Sequence, residues 1–376
     1  MFRTAWTFAH IRGVPLRLHV SMLFILPLIA MAVAFEAAPR LLARMGIPLD
    51  ALVLPPLALG AVLAVALFVA VLLHELGHAL VALRQGARVR AITLMVLGGV
   101  TEIDHDDASP GQALWMAFAG PLINLVLAAV SLMVARLPLG VDLHAFFLLF
   151  GFINLFLAVF NLIPAFPLDG GRMLKAVLRF KLPEETATRF AAGLGRALAI
   201  VGLLYGLFRG DIFLAVVALF LFTGAGAELS QVQVRTALDG LAARQAMVTR
   251  VVTVGPARPA TSIARHMLFH DAQAAIVRDH NQTYGVLLPE DLLDEDAEAG
   301  DLVDGTPLWA HVDDPLGPVV REMRWRRKPV IVRDDFNTPV GVVTLPEISR
   351  AARLRRLADR ALQPGGRSLE SEETGA

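Results

Sequence analysis

His74, Glu75 and His78 form the pattern His-Glu-x-x-His, and they are the only ionisable side chains in the apolar stretch 51–83. Two residues four apart on an α-helix are separated by about 40° around its axis, so both imidazoles leave one face and can grip one metal ion. Zinc takes neutral imidazole nitrogens and, in catalytic sites, keeps one position for a water whose pKa falls to about 7. Glu75, next to both histidines, is suited to take that water's proton. Idle ionisable groups in a membrane helix are costly, so function is the default reading of such a cluster. The pattern predicts zinc-hydrolase chemistry inside a bilayer.

A third ligand must come from elsewhere, and the absence of cysteine restricts it to His, Asp or Glu. The apolar run 143–163 ends in Asn161-Leu-Ile-Pro164-Ala-Phe-Pro167-Leu-Asp169-Gly170, and two prolines three apart cannot continue a regular helix. Unwound backbone at membrane depth persists only inside protein or against a wet cavity, which marks a site. If the runs 53–83 and 143–163 both cross inward, Asp169 arrives near the depth of the two histidines and is the favoured third ligand. Glu102, Asp104 and His105, in the polar stretch 101–111, are rivals, with a solvated acidic loop as their plain explanation. Asn124 and Asn161 are uncharged amides in apolar runs. Either could contact the substrate or its oxyanion, or satisfy unwound backbone, and Asn161 suits a cap on the broken helix. His19 and His144, at the ends of apolar runs, fit the membrane interface.

Six apolar runs could position these groups: 18–36, 53–83, 113–135, 143–163, 191–208 and 212–227. With 56% hydrophobic residues the chain is too apolar for a soluble protein, so membrane spans must carry the excess. Arg3 and Arg12 precede the first run, but no small-residue cleavage site follows a short core, so an uncleaved first span is expected. Six crossings put both termini on one side. Roughly thirteen Lys and Arg residues flank that side, against four (Arg40, Arg44, Arg136, Arg209) on the other, which makes it cytoplasmic. Lys plus Arg equals Asp plus Glu at 34 each, and no basic stripe with interleaved aromatics occurs, so nucleic acid is excluded as a partner. A membrane ion transporter with a cytoplasmic regulatory module is the alternative, since broken helices and intramembrane His or Asp also mark ion paths; the sequence shows no repeated hydropathy halves. Alanine and arginine usage without cysteine points to a bacterial inner membrane, and a homo-oligomer is compatible with the sequence.

These residues resemble the site-2 protease family of intramembrane zinc metalloproteases. The resemblance rests on His74-Glu75-Leu-Gly-His78 and on Asn161-x-x-Pro164-x-x-Pro167-Leu-Asp169-Gly170, in the family's order. Leu97-Gly98-Gly99-Val100 and Ala119-Gly120-Pro121-Leu-Ile-Asn124 are similar to further family elements. It covers roughly residues 15–230 and implies one catalytic zinc ion held by His74, His78 and Asp169, Glu75 as catalytic carboxylate, and a single-span membrane protein as substrate. A helical peptide bond hides its carbonyl in a hydrogen bond, so such a substrate must unwind before attack. The β-prone segment 90–102, containing Gly98 and Gly99, could form a re-entrant hairpin whose edge pairs with the extended substrate; a cytoplasmic loop strand with a Gly-Gly turn is the alternative.

From about residue 240 the pattern becomes α/β with a weak internal repeat. Tyr284-Gly285-Val and Val340-Gly341-Val-Val-Thr344 lie about 56 residues apart in equivalent settings. This segment, 240–350, is similar to a pair of cystathionine-β-synthase-type (CBS) domains, a resemblance that implies an adenine nucleotide as candidate ligand, with Thr344 and Glu347 as contacts. Glu347 replaces the more usual Asp, and Leu288 replaces the hydroxyl residue of the first repeat, so a structural or substrate-docking pair is the competing reading. Residues 365–376 are polar and acidic with no run able to form a core, and the end, 360–376, is expected to be disordered. The whole reads as a polytopic α-helical membrane protein of about six transmembrane helices, 1–230, followed by a cytoplasmic α/β CBS pair.

Overall fold

The protein is described by a computed structural model over residues 5–95, 98–104, 108–238, 240–280, 282–303 and 306–361. It folds as two units, Met1–Leu229 and Ser230–Ala376. Of the end expected to be disordered, 360–376, residues 360 and 361 are helical, which corrects its start, and residues 362–376 lie outside the described residues.

The first unit opens with a hairpin of β1 (Ala5–Ile11) and β2 (Val14–His19). Ile11 pairs with Val14, so Arg12 and Gly13 alone make the turn, both at positive φ (51° and 81°), as a two-residue turn matched to strand twist requires. The first apolar run, read as starting near residue 18, is thereby corrected. Its first residues end a strand, and the spanning helix begins at Met22. Helix α1 (Met22–Ala32) continues through a π-helical turn, Val33–Ala37, into α2 (Ala38–Arg44). Then come α3 (Pro56–Arg84), β3 (Arg88–Met95), β4 (Gly98–Asp104), α4 (Pro110–Val134), α5 (Val141–Asn161), α6 (Asp169–Leu178), α7 (Glu184–Arg209) and α8 (Ile212–Leu238).

Six helices are long and apolar enough to cross a membrane: α1 to α2 as one, α3, α4, α5, α7 and α8. The chain is a multi-pass membrane protein. Large apolar side chains stand outward on these helices, Phe156 at 65% exposure and Phe208 at 88%, where water would oppose them and lipid would not. The last two spans run longer than the runs 191–208 and 212–227. Glu185 and Arg189 form an i,i+4 ion pair on α7 before its apolar part, and polar residues carry α8 on to Leu238.

The four strands form one sheet in the order β1-β2-β3-β4, with β2 parallel to β3 and the two hairpins antiparallel. Val14, Leu16, Ile92 and Leu94 on one face pack with Ala79 of α3 and with half-buried Leu72, Leu76 and Leu83. The sheet is thus fixed to the helix that carries the histidines, and β4 is its edge.

The second unit contains β5 (Met247–Val248), β6 (Val251–Val254), α9 (Ala260–Phe269), β7 (Ala274–Asp279), β8 (Gln282–Leu287), α10 (Ala299–Leu302), β9 (Leu308–His311), α11 (Leu316–Arg326), β10 (Val330–Arg333), β11 (Pro339–Val343) and α12 (Leu345–Ala361). Its two halves repeat one plan: strand, helix, a strand parallel to the first, then an antiparallel strand. Ala274, Ile276, Ile331 and Val342 of the two halves share a core. The repeat seen in the Gly285 and Gly341 segments is therefore structural, with both glycines in the last strand of their half.

Candidate metal centre

Helix α3 carries His74, Glu75 and His78 into the protein at 5–8% exposure. Asp169 comes from the start of α6, as buried as they are. Helix α5 stops at Asn161, and the prolines hold the next seven residues out of helical geometry until α6 begins. The backbone satisfies itself along this turn, with Ala165 N–H donating to Ile163 O (2.7 Å) and Leu168 N–H to Ala165 O (2.9 Å). Phe166 within it is fully buried beside Ala191 and Ala192 of α7.

His74 Nε2 and His78 Nε2 lie 3.1 and 3.3 Å from Asp169 Oδ2 and 3.2 Å from each other. Three donor atoms held about 2.0–2.2 Å from one ion at tetrahedral angles would stand roughly 3.3–3.5 Å apart, so the triangle already matches zinc geometry. Among the described residues these three form the one group of His, Asp and Glu side chains able to hold a metal ion.

The remaining ring nitrogens fix the tautomers. His78 Nδ1 faces the carbonyl of Met116 at 2.8 Å, which can only accept, so Nδ1 carries the proton and Nε2 is left with its lone pair. His74 is set by a longer relay. The carbonyl of Phe150 accepts from Asn154 Nδ2 (2.9 Å), which leaves Asn154 Oδ1 to accept from Asn124 Nδ2 (3.4 Å). Asn124 Oδ1 in turn accepts from His74 Nδ1–H (2.8 Å). One backbone carbonyl thereby orients two amides and the ring, an arrangement typical behind metal-binding histidines.

Two glycines admit this packing. At Gly120 on α4 a Cβ would stand 2.3 Å from His78 Nε2 and 2.6 Å from His74 Nε2. At Gly99 on β4 a Cβ would stand 2.1 Å from Glu75 Cγ, so the edge strand crosses directly over that side chain. Thr101, two residues on, donates its hydroxyl to Glu75 Oε2 at 2.6 Å.

The other candidates fall elsewhere. Asn124 is 1% exposed with its amide engaged by His74 and Asn154, so it supports a histidine and is not free for substrate or oxyanion. Asn161 ends α5 half-buried with no side-chain hydrogen bond among the described residues, and the capping position belongs to Leu162. Gly98 (φ 116°) opens β4 beside Gly99. The rivals for third ligand are accounted for: Glu102 pairs with Arg90 (3.6 Å), Asp104 with Arg88 (2.7 Å), and His105 lies outside the described residues. His144 Nδ1 faces the carbonyl of Ala135 at 2.7 Å, and His19 Nδ1 meets the Ser21 hydroxyl at 2.9 Å. The sequence does not single out Asn154, Thr101 or the Met116 carbonyl; an amide inside the apolar run 143–163 is the one signal it carries for the first.

In the second unit Thr344 is buried just past β11, and its carbonyl accepts from Ile348 N–H (3.1 Å) at the start of α12. Glu347 meets Arg350 at 3.4 Å. Leu288, the equivalent of Thr344 in the first half, packs against the core shared by the two halves.

A model of peptidase family M50 matches residues 62–144 and 139–202, which span the histidine motif and Asp169. Rip3 of Mycobacterium tuberculosis is 31% identical over 329 residues, 80% of this chain and 82% of that protein. The chain belongs to peptidase family M50. The zinc metalloprotease MJ0392 of Methanocaldococcus jannaschii is 29% identical over 352 residues, 93% of this chain and 96% of that one. The solved site-2 protease from the same organism is 33% identical, with a TM-score of 0.43, over 60% of this chain and 95% of that structure. A solved CBS domain pair, that of MJ0100 in complex with 5′-methylthioadenosine and S-adenosyl-L-methionine, is 21% identical with a TM-score of 0.26, over 29% of this chain and 98% of that one. The M50 chain is accordingly a zinc metalloprotease of the site-2 protease type, which decides against the transporter alternative.

Proposed function

We propose that His74, His78 and Asp169 hold the zinc ion, that Glu75 is the proton-transferring carboxylate, and that the enzyme cuts transmembrane segments of single-span, membrane-tethered proteins. The observation that carries this reading is the triangle of two Nε2 atoms and one carboxylate oxygen, 3.1–3.3 Å on a side and buried between spanning helices. Zinc bound there supplies a Lewis acid for water and for the scissile carbonyl. The residues do the rest. Asn124 and the Met116 carbonyl keep both Nδ1 protons in place, so both Nε2 lone pairs stay available. Glu75 takes a proton from the attacking water and returns it to the leaving amine. The protein packed around the centre limits bulk water, which strengthens each of these interactions.

The exposed side of β4 suits an unwound substrate segment. An edge strand offers unpaired N–H and C=O groups to an extended chain, and β4 passes over Glu75. The surplus of Lys and Arg beside one set of helix ends supports cytoplasmic termini, and the composition supports a bacterial inner membrane. Because the chain has no cysteine, single introduced cysteines can be labelled from either side without background to test that orientation. For the α/β pair, a structural or substrate-docking role accords with Leu288 filling one of the two equivalent positions.

The deciding experiment is coexpression of the full chain with candidate single-span proteins, comparing wild type with Glu75→Gln. A released fragment with wild type and none with the variant, both retaining zinc, is the expected result. Cleavage by the variant would refute the role of Glu75.

A further inference from the structure

The hairpin that covers the centre also reaches into it. Glu75 is an unbranched side chain with three rotatable bonds, and a proton carrier has to be held within hydrogen-bond reach of its water in one geometry. Helix α3 alone cannot supply that restraint, since the backbone sets the Cα–Cβ direction and leaves the carboxylate to rotate. Strand β4 supplies it. Gly99 and Thr101 are two apart and so point to the same face of the strand. Their partners across the hairpin, Leu94 and Ile92, are buried in the core against α3, which sets the height of that face above the helix. At Gly99 the missing side chain leaves the room that the Glu75 stem occupies, and at Thr101 the hydroxyl meets Glu75 Oε2 at 2.6 Å. Glu75 Oε1 accepts no hydrogen bond among the described residues and is the oxygen left for the water.

We propose that Thr101 is a positioning residue: its hydroxyl holds one oxygen of Glu75 and thereby aims the other at the reacting water. The hairpin then has two duties, offering its outer edge to substrate and setting the proton carrier with its inner face. Only a donor at position 101 performs the second. Valine has the shape of threonine without the donor, and serine keeps the donor without the methyl group. This rests on Glu75 moving the proton, so one arm of the test needs no proteolysis.

A structural role and a positioning role predict opposite orders for two variants. As a mere strand residue, Thr101 should tolerate Val and suffer from Ser, because valine is the better strand former. As a positioning residue it should suffer from Val and tolerate Ser. The full chain is purified in detergent with zinc, and the infrared carboxylate stretch of Glu75 is identified as the band lost in Glu75→Gln. Thr101→Val should shift that band and Thr101→Ser should leave it in place; an unshifted band in Thr101→Val overturns the proposal whatever the protease assay gives. With a labelled single-span protein found cleaved in the coexpression experiment as probe, Thr101→Val should lower kcat roughly 10- to 100-fold at unchanged KM and zinc content, and Thr101→Ser should stay within about threefold of wild type. In Glu75→Asp, whose shortened carboxylate falls short of the hydroxyl, Thr101→Val should have little further effect; additive losses would count against the coupling. A loss in Thr101→Ser as large as or larger than that in Thr101→Val would show that the donor is not what matters at position 101 and sink the idea.

Discussion

The membrane unit and the α/β unit each contain polar residues with a candidate chemical role, but in different settings. His74, Glu75, His78 and Asp169 are all 5–8% exposed, and their polar atoms meet one another, Asn124, Thr101, the Met116 carbonyl or, for Asp169, Arg172 at 3.9 Å. Thr344 and Glu347 sit at the start of a helix, where Glu347 meets an arginine one turn on. Keeping the first set buried inside a membrane protein costs several kcal/mol unless the groups are compensated, and neutral substitutes would avoid that cost. The second set costs less: Glu347 is paired near the surface, and Thr344, though 8% exposed, buries a neutral hydroxyl and not a charge. A polar residue therefore argues for function in proportion to its desolvation penalty, and on that measure the two regions are far apart.

Removing a ligand gives the largest expected effect. In Asp169→Ala the zinc site loses one of three protein ligands. If a site of this kind is worth about 10–16 kcal/mol, a quarter to a third of that is about 4 kcal/mol, so affinity should fall about a thousandfold. Zinc measured after dialysis against a competing chelator should drop from one ion per chain to a small fraction, with cleavage lost in parallel and helix content unchanged. Full zinc retention would mean that another group, not Asp169, completes the site.

A graded loss should follow along the relay behind His74. Asn124→Ala removes the acceptor that holds the His74 Nδ1 proton, and second-sphere changes of this type lower metal affinity about 10- to 100-fold. Asn154→Ala leaves Asn124 in place but frees its amide to flip, so a smaller loss, about threefold to tenfold, is expected. Chelator competition on the two variants reads both values. The reverse order would break the direction of the relay, because the orientation is set at the Phe150 carbonyl and passes through Asn154 and Asn124 to the ring.

How much of this was legible in the sequence follows the same logic. The three residues on α3 stood out because nothing else in the stretch 51–83 is ionisable, and Asp169 stood out because Pro164 and Pro167 forbid a helix just before it. Asn154 did not, since one amide in a run of Phe and Leu changes neither hydropathy nor period. The hairpin of β1 and β2 was hidden because its apolar residues merged with the run that follows, and the mark of the turn, two positive-φ residues at Arg12 and Gly13, shows only weakly as an Arg-Gly pair. Hydropathy alone also places the ends of α7 and α8 too far inward, for a related reason. Hydropathy reports where lipid touches a helix, while ion pairs such as Glu185 with Arg189 extend the helix beyond it.

The smallest expected effect lies in the α/β unit, and it tests the comparison from the other side. Thr344→Val deletes a hydroxyl that has no hydrogen bond among the described residues, so the fold loses little. Zinc content and cleavage should stay within about twofold of wild type, since the substitution leaves every group of the metal centre in place. Calorimetry with AMP on the full-length wild type then asks whether the residue holds a ligand after all. The relation of Leu288 to Thr344 leads to an expectation of at most one nucleotide per chain, because the apolar residue in the first half fills its equivalent position with core. Two AMP per chain, or a change in cleavage above about tenfold on adding AMP, would show that polar groups cheap to keep can still carry a site, and desolvation cost would lose its value as a guide in this protein.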